Sequence, residues 1–139
     1  MTAGAMATGR ARPTILLVGT ADTKRDELAF MRARLGALDA QVLLMHVGVL
    51  GASAVPVEIS HHDVAAAAGS SIDAVAASGD EHSAMAIMAA GAAALAADLH
   101  AQGRIDGLLA LGGTMGTDLA LDMAAALPIG VPKVVVSTV

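Results

Sequence analysis

The sequence predicts an α/β protein, a Rossmann-like, doubly wound parallel sheet in a three-layer α/β/α arrangement with strand order 2-1-3-4. Three observations predict it. Four short apolar runs alternate with helical stretches, the pattern that builds a parallel sheet. The runs are apolar throughout, as strands buried on both faces are. The first and third runs each end in a loop of Gly and Thr that leads into a helix.

Taken in order, Thr14–Val18 reads as the first strand, ending at Gly19. Thr23 to Asp26 has the spacing of a capping box, and Leu28, Met31, Leu35 and Leu38 then recur at helical intervals. Gln41 to Val47 is the second strand, completing a βαβ unit. A loop with Gly51 and Pro56 follows. Ser60 is placed to cap a short helix over His61 to Ala68, and a second short helix covers Ile72 to Ala77. Gly79-Asp80 opens the longest helix, with Met88, Ala92, Leu95 and Leu99 on one face and Gly103 at its C-terminal cap. Gly107 to Leu111 is the third strand, Thr117 to Leu127 a helix stopped by Pro128, and Lys133 to Ser137 the fourth strand. The long helical connection from the second strand to the third places the third on the far side of the first. The switch point between those two strands is where ligands bind in such sheets.

Composition sets bounds. At 139 residues the chain fits one domain, read as 13–139 after a disordered leader over 1–12. The net charge is −5, Lys and Arg are scattered, and Phe30 is the one aromatic residue. A nucleic-acid groove would need a basic stripe or stacking aromatics, so nucleic acid is not an expected partner. The absence of cysteine excludes thiolate metal sites and fits a reducing, cytoplasmic setting. The mean hydropathy of +0.67 comes largely from alanine. The longest stretch without a polar side chain, Ala84 to Ala97, falls short of the roughly 20 residues of a membrane span, and no secretory signal is visible.

The candidate site lies in two loops, Gly19-Thr-Ala-Asp-Thr-Lys24 and Gly112-Gly-Thr-Met-Gly-Thr117. Phosphate binding needs backbone N–H groups that can come close, a helix N-terminus aimed at the anion and often a cation. Gly19, Gly112, Gly113 and Gly116 remove obstructing side chains. Thr20, Thr23, Thr114 and Thr117 offer hydroxyls, Lys24 a point charge, and Asp22 a carboxylate for magnesium held through water. The plain alternative is that these glycines permit tight turns and the threonines and Asp22 cap helices. Neither loop has the Walker or dinucleotide fingerprint. His46 stands where nicotinamide enzymes place a ribose-binding carboxylate. His61-His62-Asp63 suggests a metal, but adjacent helical residues point apart, so no metal site is assigned. Ser137 lacks an identifiable base, and no catalytic residue is named.

Five ordered segments resemble one family: Val18–Lys24, His46–Gly51, Gly103–Gly107, Leu111–Thr117 and Leu127–Thr138. It is the ATP-binding family typified by the tomato mosaic virus resistance protein, with bacterial, fungal and plant members. The resemblance implies a Rossmann-like ATP-binding domain, often a homodimer, followed by a barrel-like domain. In the plant member, this region contributes to blocking a viral replication protein. His46 and Met115 depart from that family's pattern, where aspartate and glycine are expected. The resulting expectation is an ATP-binding module, with magnesium as a candidate companion ion and a dimer as its assembly. A fragment of an enzyme acting on a phosphorylated or carboxylated metabolite is the second reading, and a structural or oligomerising domain the third.

Overall fold

The computed structural model describes residues 12–139; the expected leader lies, apart from Arg12, outside the described residues. The four expected strands form as β1 (Thr14–Gly19), β2 (Gln41–His46), β3 (Gly107–Gly112) and β4 (Lys133–Ser137). They make one sheet in the predicted order β2-β1-β3-β4. All pairs are parallel: Leu17 lies beside Leu44 and Leu109, and Leu109 beside Val134. Five helices connect them: α1 (Arg25–Ala37), α2 (His61–Ala67), α3 (Ile72–Ala76), α4 (Glu81–Ala101) and α5 (Thr114–Ala126).

The two faces of the sheet are covered unequally. On one, Leu16, Val18, Met45, Leu108 and Ala110 pack with Val64 of α2, Met88 and Ala92 of α4, and Leu119 and Met123 of α5. This is the main core. On the other, Leu28 of α1 packs over Leu17, Leu44 and Leu111. The same face continues onto β4, where Val134 and Val136 stand exposed. Alternate β1 residues thus feed opposite clusters, which is why the run had to be apolar throughout.

The Ala-rich α4 is long and apolar enough, by length and composition, to cross a membrane. In the fold it packs on α2, α3 and α5. Gly91 lies so close to the Val64 carbonyl of α2 that a Cβ there would collide with it. Gly103, at φ 71°, ends the helix as expected, with the Arg104 N–H donating to the Leu99 carbonyl at 2.9 Å.

Two boundaries near the candidate site differ from expectation. The capping box at Thr23 does not form: α1 starts at Arg25 behind Lys24, with no side-chain cap. Thr23 Oγ1 is instead 2.6 Å from Thr20 Oγ1, so its hydroxyl serves the loop. A true capping box occurs at Ser60 and Asp63, starting α2. The second change is larger. α5 begins at Thr114 rather than Thr117, because extended Gly113 turns the chain directly from strand into helix. Glycine, threonine and methionine at 114–117 are its first turn, not a loop.

Candidate functional site

The carboxyl ends of β1 and β2 open into a cleft of about 550 Å³, within the size range of small-molecule sites. One wall is the β1 loop, through Thr20, Asp22 and Thr23. The second is Gly48, Val49 and Leu50 after β2, and the third is the start of α4 with Ala77, Asp80, Glu81 and Met85. Its lining is mostly apolar, with three carboxylates, Asp22, Asp80 and Glu81. Asp80 already caps α4, accepting from the Ser83 N–H at 2.7 Å and the Ser83 hydroxyl at 2.9 Å. Those bonds hold its carboxyl below the usual range.

Asp22 faces inward. Cβ atoms built at Gly48 and Gly51 would lie 2.8 Å and 2.9 Å from its two carboxylate oxygens. Both positions therefore need glycine so that the β2 loop can pass over this side chain. Asp22 Oδ1 is buried without a hydrogen-bond partner. Among the described residues, no group of three or more His, Asp or Glu side chains is gathered to hold a metal.

The two loops singled out in the sequence meet at their bases. Val18 pairs with Ala110, and a Cβ on Gly19 would sit 3.4 Å from the Leu111 carbonyl and 3.0 Å from the Leu28 methyls. Gly19 is thus a packing glycine. Thr20, Asp22 and Thr23 line the cleft, whereas Lys24 and residues 112–117 do not. Gly112 serves the turn: a Cβ there would collide with the backbone of Gly116 and Thr117. The Thr117 hydroxyl donates to the Gly112 carbonyl at 3.2 Å and is 3.0 Å from Ser137 Oγ. A Cβ at Gly113 or Gly116 would meet only ordinary contacts, with Thr138 Oγ1 at 3.9 Å and the Leu111 carbonyl at 4.0 Å respectively. With exposed Thr114 these glycines form the N-terminal turn of α5, which follows β3 on the side of β1 away from β2.

Sequence reasoning missed the part played by two histidines. His46, at the end of β2, is only 1% exposed. Its Nδ1 accepts from the Ala21 N–H at 2.9 Å and the Gly48 N–H at 3.3 Å, while Nε2 donates to the Gly51 carbonyl at 2.8 Å. The ring is therefore neutral and joins the β1 and β2 loops. His61 stacks on it with centroids 4.7 Å apart and donates from Nδ1 to the Gly48 carbonyl at 2.7 Å. His62 is exposed and Asp63 caps α2, so the His-His-Asp triplet divides into three separate tasks. A histidine ending a buried strand was the available signal, since such a ring must find partners.

The family model described as the uncharacterised protein family (UPF0261) N-terminal domain matches residues 13–139. This chain belongs to the UPF0261 family. A UPF0261 protein of Brucella suis biovar 1 is 52% identical over 127 residues, covering 91% of this chain and 30% of that protein. One from Clostridium tetani is 36% identical over 124 residues, covering 89% of this chain and 31% of that protein. One from Mesorhizobium japonicum is 38% identical over 124 residues, covering 89% and 30% respectively. The chain thus spans about a third of the length of the curated relatives it matches. These findings overturn the resemblance to the tomato mosaic virus resistance protein family. Much of that resemblance rested on residues the fold itself demands, such as Gly112 in its turn and Gly103 at its helix cap.

Proposed function

We propose that this chain is a binding module for an adenine nucleotide. The carrying observation is the pairing of the 550 Å³ cleft at the ends of β1 and β2 with the N-terminal turn of α5 that follows β3, β1 lying between those strands. The cleft's apolar lining suits a base, and its carboxylates Asp22, Asp80 and Glu81 suit ribose hydroxyls better than phosphates. Phosphates would therefore cross the β1 loop toward Gly113 and Gly116, where backbone N–H groups and the helix dipole favour anions. Magnesium would arrive with the nucleotide. The test is calorimetric titration with ATP, ADP, adenosine and inorganic phosphate. ATP should bind more tightly than adenosine, and Gly116→Val should remove that difference while leaving adenosine binding intact. No heat with ATP, or a Gly116→Val protein that binds it unchanged, sinks the reading.

One observation favours a second reading. The curated relatives are about three times as long as this chain, so the cleft is a candidate for part of an enzyme site completed elsewhere in such proteins. Turnover of a phosphorylated or carboxylated metabolite by the longer proteins, and not by this domain, would support it.

A further inference from the structure

We propose that His46, backed by the stacked ring of His61, is an acid-released latch that positions the two loops walling the cleft. The argument starts from what the ring touches. Its acceptor nitrogen holds the Ala21 N–H, which lies between the cleft residues Thr20 and Asp22. Its donor nitrogen holds the Gly51 carbonyl, one residue beyond cleft-lining Leu50. One imidazole therefore bridges both walls at the base, and His61 ties Gly48 from behind.

Protonation cannot preserve this arrangement. A proton on Nδ1 turns the acceptor into a donor aimed at two N–H groups, Ala21 and Gly48, and both bonds are lost. The new charge would also lie against the His61 ring. The titratable and charged groups around His46 are Asp22 from the β1 loop and, from α2, His61 with His62 set edge-on behind it. Asp22 attracts the proton and His61 opposes it. Burial is the largest influence and lowers the His46 pKa, the Gly51 bond raises it, His61 lowers it and Asp22 raises it, with a net shift below the ordinary histidine value. The latch is closed at neutral pH and opens in mild acid.

The proposal deepens the reading of the cleft as a binding site, yet its test needs no ligand. NMR follows the His46 ring and the Ala21 amide of the intact chain from pH 8 to pH 5. Ala21 protection, corrected for intrinsic exchange, should fall as pH drops from about 6.5 toward the folded ring's own midpoint, by up to about tenfold per pH unit within that window. His46→Gln supplies a non-titrating acceptor and donor, and its Ala21 protection should stay flat. If that variant does not fold, the wild-type window decides: the loss of protection must lie between about pH 6.5 and the folded ring's midpoint. Ala21 protection that ignores ring protonation, or falls equally in His46→Gln, overturns the latch. A failed ATP titration would remove the proposed ligand and leave the latch standing.

Discussion

At the scale of single residues, burial and backbone geometry give the glycine-rich segments two different tasks. Gly112, Gly48 and Gly51 are glycine because another atom occupies the space of a Cβ, whereas a Cβ at Gly113 or Gly116 would meet only ordinary contacts. Only the second kind is available to a ligand. Lys24 precedes α1, half-buried, with its own N–H donating to the Thr20 carbonyl at 2.8 Å. Lys24→Ala is expected to weaken nucleotide binding while changing stability by about 0.5 kcal/mol or less; unchanged ATP affinity by calorimetry would remove Lys24 from the site. His46 carries a consequence for stability as well. Its folded pKa lies below that of the unfolded chain, so the unfolded state binds the proton first. Its contribution is complete above pH of about 6.5 and declines as pH falls from there toward the folded pKa. Urea unfolding between pH 8 and pH 5 should show that decline, and His46→Gln should flatten it.

At the scale of elements, the crossing of α2 and α4 depends on Gly91. Replacing a helical glycine by alanine gains about 1 kcal/mol in propensity. Here the added methyl would collide with the Val64 carbonyl, a backbone atom that cannot swing aside, and overpacking of this kind costs about 1–3 kcal/mol. The steric term is expected to win, so Gly91→Ala should lower the urea midpoint; a raised midpoint would show that α2 shifts freely. The start of α5 follows the same logic. Glycine is a poor helix former, yet Gly116 lies inside the first turn, and it is Gly112 whose missing Cβ lets the Gly116 and Thr117 backbone pass so close.

At the scale of the whole molecule, the two edges of the sheet are treated differently. The β2 edge is partly covered: Ile59 bridges to Met45, and Glu58 accepts from the Leu44 N–H at 2.7 Å while pairing with Arg32 of α1 at 2.6 Å. On β4, Val134 and Val136 are 55% and 36% exposed. An apolar edge is a template for pairing with another chain. The domain is therefore expected to self-associate, and Val134→Lys with Val136→Lys to reduce it to a monomer. Sedimentation returning a clean wild-type monomer at high micromolar concentration counts against this. The small-residue face of α4 around Ala89, Ala93 and Ala97 is less suited, since Ala89 is 6% exposed within the chain's own core.

What the sequence determined by itself was the set of elements and their order in the sheet. Buried parallel strands and amphipathic helices leave periodic marks that depend on near neighbours, and a long connection between β2 and β3 leaves few ways to wind. Leu16, Val18, Met88, Met123 and the Gly103 cap were all legible for that reason. What only the tertiary structure decided was which glycines face a ligand and which face backbone, and what His46 does. Thr23 and Ser60 show the limit: both carry the capping-box spacing, yet only Ser60 uses it, because Thr20 claims the Thr23 hydroxyl. The partners of His46 come from positions 21, 48, 51 and 61. No local pattern encodes such a meeting, because it exists only once β1 and β2 lie side by side and α2 packs behind them.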